Sequence, residues 1–458
     1  MTKFFLESVL LPDGWHEGVL LGLDGSGTIQ TVQIGASSDA ADEVFRGAVI
    51  PGMPNLHSHA FQRAMVGLSE HSGETADSFW TWRKIMYGFL QSISPEDTEA
   101  IAAQLYVEML KAGYTSVAEF HYLHHDVKGA AYSNLGEMSH RIIAAAQDAG
   151  IGLTHLPVLY AHSGFGSLAP NEGQARFVST MDQYGQLLSG LTAQYKDVNG
   201  LRFGIAPHSL RAVSPELLVE AIAIVDGFDS AAPIHIHVAE QLKEVEDSVA
   251  WSGKRPVEWL LDQGLVNERW CLIHSTHLTS AEVQGMAQSG AVAGLCPTTE
   301  GNLGDGIFQS PEYVAAGGAL GIGTDSHISL DVTEELRLLE YNQRLKSHER
   351  NVMADAPNTS TGRSLYNRAL AGGAQALGRK TGRIAIGHQA DLLVLDTDHP
   401  SLYGRSGDEV LDSWIFFNSG NPVKDVYVSG RKVVSEGHHA QEDRIASDFR
   451  KAIDRLKS

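Results

Sequence analysis

Between residues 48 and 324 the chain alternates short apolar runs with longer stretches whose apolar residues recur at helical spacing. The runs at 48–56, 115–120, 152–160, 202–207, 233–238, 271–274, 291–297 and 319–324 read as eight strands, most of them closing on a polar or ionisable residue. The segments 96–112, 134–149, 215–226, 256–263 and 280–289 read as helices. Ser94-Pro95-Glu96 and Ser214-Pro215-Glu216 look like capped helix starts, and Gly113 and Gly150 look like stops.

This rhythm fits an α/β fold in which eight strand–helix units close into a TIM-type (β/α)8 barrel, although counting alone leaves an open doubly wound sheet possible. A barrel collects chemistry at the C-terminal ends of its strands. His57 and His59 end the first run, Tyr122 follows the second, and His208 and Arg211 follow the fourth. His237 and Glu240 end the fifth, His274 the sixth and Asp325 the eighth, so residues far apart in sequence are expected on one face.

Both chain ends add strand patterns. The N-terminal stretch is broken by Asp13-Gly14, Gly25 and Gly27; near the C-terminus 390–396 and 426–434 read as strands, the latter as a hairpin about Ser429-Gly430. The expected organisation is a small β-sandwich domain from 1–49 and 381–458, with the barrel, 50–380, inserted between.

The chain's 458 residues, 43% hydrophobic, suffice for a large core and a second small domain. Net charge is 34 − 55 = −21 with no basic block, which argues against nucleic acid or an anionic membrane as partner. No stretch approaches the roughly 20 apolar residues of a spanning helix, and the start lacks a signal core. The only cysteines are Cys271 and Cys296, so a disulfide framework is not expected and a cytoplasmic location is.

In an extended segment residues i and i+2 share a side, so both imidazoles of His57-Ser58-His59 can reach one metal ion. Ile234-His235-Ile236-His237-Val238-Ala239-Glu240 repeats the pattern. Either of its histidines could instead be a hydrogen-bonded core residue, and an aspartate such as Asp325 could cap a turn. Joint occurrence with His274 and a terminal carboxylate favours a site. Arg83 and Arg211 offer planar forks for carboxylates near the barrel mouth, with ordinary salt bridging as the alternative. His121, His124 and His125, and the pair His438 and His439, read as solvated loop residues; His277 and His327 read as supports or turn residues. Trp80 and Trp82 either wall a pocket or pack under a loop.

The segments Pro51-Gly52-Met53-Pro54-Asn55-Leu56-His57-Ser58-His59, His237-Val238-Ala239-Glu240, His274, Thr324-Asp325-Ser326 and Gly382-Arg383-Ile384-Ala385-Ile386-Gly387 together resemble the amidohydrolase superfamily, in its single-metal deaminase branch. The resemblance implies one divalent ion, zinc before others, held by His57, His59, His237 and Asp325, with His274 beside the reacting water. His235 competes for the fifth-strand position. The family pattern favours His237, three residues before the acidic proton carrier Glu240. The middle strands carry no lysine to bridge two metals, and no paired cysteines offer the other zinc-deaminase design. The chemistry implied is hydrolytic deamination: zinc brings the pKa of water to about 7, Asp325 and His274 orient the water and take up its proton, and Glu240 carries a proton to the leaving nitrogen.

Finer motifs, Phe61-Gln62-Arg63-Ala64, Phe79-Trp80-Thr81-Trp82-Arg83, Phe120-His121-Tyr122 and Ala206-Pro207-His208-Ser209-Leu210-Arg211, look like the formimidoylglutamate deiminases of histidine degradation. That resemblance implies hydrolysis of N-formimidoyl-L-glutamate to N-formyl-L-glutamate and ammonia. Gln62, Tyr122 and His208 would surround the formimidoyl end, and Arg83 and Arg211 the two carboxylates, in an order the sequence leaves open. It also implies a homodimer. Two alternatives stand beside it: a deaminase of guanine, cytosine or an adenosine derivative such as S-adenosylhomocysteine, and an idle scaffold on the same barrel. Retention of all ligands speaks against the scaffold.

Overall fold

The computed structural model describes residues 1–71, 79–355, 359–417 and 420–457; of Phe79 and Trp80 only the backbone is described. The chain opens with strands β1 (Thr2–Leu11), β2 (Gly14–Leu23), β3 (Ile29–Ile34) and β4 (Glu43–Pro51). β1 and β2 form an antiparallel hairpin turned at Pro12-Asp13, and β4 lies parallel to β1. Exposed and buried positions intermix along β1 and β3, as in sheets with one wet face.

The next nine strands are β5 (Met53–Ser58), β6 (Tyr114–His121), β7 (Gly152–Leu159), β8 (Leu201–Phe203), β9 (Ala206–Pro207), β10 (Ile234–Val238), β11 (Trp270–His274), β12 (Val292–Leu295) and β13 (Ala319–Ile322). They pair parallel in two arcs, β5-β6-β7-β8 with β9 on β7, and β10-β11-β12-β13. Single bridges join the arcs at both seams: Ile205 with Ile234 and Ser209 with His237 on one side, Ser58 with Asp325 on the other. Every residue of β5, β6, β7, β10, β11 and β12 is buried, as parallel strands covered on both faces must be.

Helices separate the parallel strands except β8 and β9, which two residues join. In Pro95–Lys111 the Ser94 side chain accepts from the Asp97 N–H at 3.1 Å while the Asp97 carboxylate accepts from the Ser94 N–H at 3.2 Å. This reciprocal cap satisfies two donors left open by the first turn. Glu137–Ala149 ends where Gly150 takes φ 78°, its N–H returning to the Ala146 carbonyl. Among the described residues no helix is long and apolar enough to cross a membrane.

The chain closes with β14 (Leu392–Leu395), β15 (Val423–Val428), β16 (Arg431–Ser435), β17 (His438–His439) and the amphipathic helix Glu442–Lys457. β14 pairs with β4, so both chain ends share one eight-stranded sheet, ordered β17-β16-β15-β14-β4-β1-β2-β3. It has a core of its own, in which Phe4, Phe45 and Tyr427 meet edge to face at centroid distances of 4.7 to 5.6 Å. The expected run 48–56 is therefore two strands. β4 belongs to the end sheet and β5 to the parallel arc, divided at Gly52, where a side chain would fall 2.2 Å from the Thr115 methyl.

A candidate metal centre at the strand ends

Three strands bring their last residues to one point. His57 and His59 leave β5 with rings 4.6 Å apart, and His237 at the end of β10 stands 4.8 Å from His57. The Nε2 atoms of His57 and His237 are 3.1 Å apart. Asp325, just past β13, places Oδ1 3.5 Å from His57 Nε2 and 3.3 Å from His59 Nε2. His235 is elsewhere: its Nε2 is engaged with the Ala376 carbonyl at 2.8 Å.

The close approach of β13 to β5 depends on Gly323, where a Cβ would lie 2.7 Å from His57 Cβ and 2.9 Å from its backbone nitrogen. The turns beyond the strands are strained. Ala239, His274, Ser275, Asp325 and His327 all hold φ between 45° and 67°, a region that residues with a side chain enter only when surrounding contacts enforce it.

Hydrogen bonds fix which ring atoms are open. The Nδ1 of His59 donates to the Phe120 carbonyl at 2.8 Å, and that of His237 donates to the His208 carbonyl at 3.1 Å. A carbonyl can only accept, so each Nε2 turns a lone pair inward. Burial holds the His59 and His237 imidazoles neutral, and burial reinforced by His59 brings His57 down to about 3. Burial works against the Asp325 charge, yet hydrogen bonding and attraction from His57, His59 and His274 keep this carboxyl well below its usual range.

The donor set thus suits a divalent ion. Metal–nitrogen bonds of about 2.0–2.1 Å in a tetrahedron put ligand atoms about 3.3 to 3.4 Å apart, the spacing observed. Among the described residues, His57 with His59 and His237, and His57 with His274 and Asp325, form groups able to hold an ion. A third group is His274, Cys296 and Glu300.

His274 presents Nε2 to Asp325 Oδ2 at 3.7 Å and Glu240 Oε1 at 3.9 Å, while Nδ1 lies 3.2 Å from Glu300 Oε1. Burial disfavours its charge, but Glu240, Glu300 and Asp325 outweigh it and lift the imidazolium pKa to about 10. Burial raises the Glu240 carboxyl to about 7, His274 opposing and Asp325 and Glu244 adding to the rise. Glu244 accepts from the N–H groups of Ala239 and Glu240, each at 3.2 Å, and so supports the strained turn that carries Glu240.

Above the cluster opens a cavity. Gln62, Arg83, Tyr122, His208 and Arg211, five widely spaced positions, all line it together with Glu240. Gln62 Nε2 donates to the Tyr122 hydroxyl at 2.8 Å, and the buried Gln62 Oε1 has no hydrogen-bond partner among the described residues. Trp82 also lines the cavity; the side chain of Trp80 is outside the described residues.

The histidines expected in solvated loops are mostly elsewhere. His121, His124 and His125 are buried, with His124 and His125 bonded to the carbonyls of Val158 and Val178. His439 is buried against the Ala149 carbonyl, and only His438 of these is exposed. His327 is a support, its ring lying between Thr324 Oγ1 at 2.9 Å and Ser58 Oγ at 3.3 Å. The sequence reading missed Tyr87, Tyr160, Phe177, Thr299 and Glu300. Glu300 was open to detection, because Cys296-Pro297-Thr298-Thr299-Glu300 directly follows β12 at the chemical end of the sheet.

The Amidohydrolase family matches residues 48–433, and the chain belongs to this family. The formimidoylglutamate deiminase of Pseudomonas aeruginosa is 52% identical over 456 residues, covering 100% of both chains. A crystal structure of an amidohydrolase from Brucella melitensis superposes with a TM-score of 0.95 at 49% identity, covering 100% of each chain. The fold extends to an adenosine deaminase from Xanthomonas campestris solved with bound zinc, with a TM-score of 0.81, 23% identity and coverage of 100% and 98%.

Proposed function

We propose that this chain hydrolyses N-formimidoyl-L-glutamate to N-formyl-L-glutamate and ammonia, a step of histidine degradation, as the name of its 52% identical relative implies for that enzyme. The observation that carries the reading is one cavity lined by His59, His237 and Asp325 together with two arginines, Arg83 and Arg211. A dianion needs such a pair in a protein of net charge −21. The bridges at both seams support eight strand positions closed as a (β/α)8 barrel over 52–380. The end sheet takes the remaining segments, with the expected boundary after 49 moved to 51 because β4 runs to Pro51 and pairs there with Leu392, and we read it as the expected β-sandwich domain.

His57, His59, His237 and Asp325 would hold one divalent ion, for which zinc is the best match to three imidazoles and a carboxylate. Bound there, the ion supplies the Lewis acidity that makes water a nucleophile near neutral pH. The protein's own groups do the rest. His274, held by Glu300 through Nδ1, points Nε2 at the reacting water and stabilises the negative charge that develops as the formimidoyl carbon becomes tetrahedral. Glu240, with a pKa near neutrality, replaces His274 and Asp325 as the expected proton acceptor, because His274 is already an imidazolium. It passes the water's first proton to the imino nitrogen and then the second, from the hydroxyl on the tetrahedral carbon, as the C=O forms, the C–N bond breaks and ammonia leaves. Gln62 Oε1 accepts an N–H of the formimidoyl group, while Tyr122 and His208 wall that end of the pocket.

Ammonia release from N-formimidoyl-L-glutamate, with guanine, cytosine and S-adenosylhomocysteine in parallel, tests the assignment. Turnover of the glutamate derivative alone is expected; turnover of a base alone would retain the metal chemistry and overturn the substrate.

A further inference from the structure

We infer that Tyr160 is a substrate-binding residue whose hydroxyl proton is aimed at a substrate carboxylate by a buried glutamine behind it. This rests on the proposed dianionic substrate and adds a specificity determinant to the arginine pair.

The inference follows from hydrogen-bond directions. Gln174 is fully buried, and its Oε1 accepts from the backbone N–H of Asn171 at 2.9 Å. A backbone N–H can only donate, so the amide of Gln174 cannot be turned over without losing that bond. Its Nε2 therefore faces the Tyr160 hydroxyl, 2.7 Å away, and donates to it. With one lone pair taken up by Gln174, the Tyr160 oxygen keeps its single proton for another acceptor. The ring is buried and packed at 4.7 Å against His208, and the residue lines the same cavity as Arg83 and Arg211. The amide thus orients the phenol so that its proton rather than a lone pair faces the cavity. Such a donor favours an anionic oxygen over an amide or a ring nitrogen.

The test uses the full-length zinc-loaded enzyme, N-formimidoyl-L-glutamate, and the two analogues in which one carboxylate is a carboxamide. A hydrogen bond to a charged group corresponds to about 10- to 100-fold in binding. Y160F should therefore raise KM by about that factor with kcat within a few-fold of the parent. It should also reduce, by about 10-fold or more, the parent's preference for the dicarboxylate over one analogue. Q174L, which leaves the phenol in place without its guide, should show a smaller loss of the same kind. Unchanged KM and unchanged discrimination in Y160F would overturn the inference, and so would a fall in kcat with KM intact. If the parent itself ignores N-formimidoyl-L-glutamate, the proposed function fails instead, which is a distinguishable result.

Discussion

Gly323 is the residue on which the ligand geometry leans most heavily, and Gly323→Ala is the sharpest perturbation of it. The added Cβ would sit 2.7 Å from His57 Cβ, 2.9 Å from its nitrogen and 3.0 Å from its oxygen. Ordinary contact begins near 3.4 Å, so the end of β13 must withdraw from β5 by about 0.7 Å. His57 cannot yield, because it is fully buried and its carbonyl accepts from the N–H groups of Thr324 and Asp325 at 3.1 and 3.0 Å. Asp325 moves with the strand end, and 0.7 Å exceeds the roughly 0.2 Å tolerance of a metal–ligand bond. Displacing a ligand to that degree should cost at least about 10- to 100-fold in metal affinity, beyond an overpacking cost of about 1–3 kcal/mol in the fold. The assay is zinc content after dialysis against a graded chelator series, with thermal unfolding measured with and without zinc. Gly190→Ala is the control, since nothing lies within 4 Å of its Cβ and it occupies a helix where alanine is favoured. A G323A protein that retains zinc as tightly as the parent would refute the argument that this contact sets the ligand geometry.

Glu240→Gln should keep the metal and substrate affinity yet lose at least about 100-fold in kcat, because the amide cannot carry a proton; near-normal turnover would remove Glu240 from the mechanism. The same carboxyl, raised to about 7, must be ionised to accept the water's proton, so kcat/KM should rise with pH up to about 7 and then level. Glu244 contributes to that rise by repulsion, so Glu244→Gln should move the acid limb to lower pH; a shift upward would contradict the assigned cause. Arg211→Met should raise KM for the glutamate derivative by at least about 30-fold, the cost of leaving a buried carboxylate without its partner, with kcat less affected. An unaltered KM would end the clamp role.

Much of the centre was legible because strand period and strand ends are local signals. His57, His59, His237, His274 and Asp325 each close or directly follow an apolar run, and the fold needs only to bring those ends together. The choice of His237 over His235 rested on the family resemblance, whose pattern puts the ligand three residues before the acidic residue, and the structure adds a physical reason: the Ala376 carbonyl occupies His235. Less legible were features created by packing between distant segments. The division of 48–56 at Gly52 depends on Thr115, and the burial of His121, His124 and His125 depends on β7 and the loop around Val178. Tyr160 and Gln174 looked like ordinary loop and strand residues, since their hydrogen-bond directions exist only once Asn171 caps the turn between them. Helices Val332–Ser347 and Thr361–Leu377 went unassigned: they lie beyond the last of the eight runs, and neither carries a Ser-Pro start like those before 96–112 and 215–226.

Ammonia release from N-formimidoyl-L-glutamate by the purified enzyme, before and after removal of metal by chelation and after zinc is returned, tests the central claim most directly. Rapid release that chelation abolishes and zinc restores is the expected result. Release that survives complete metal removal, or its absence from the zinc-loaded enzyme while a nucleobase or adenosine derivative is deaminated, would contradict it.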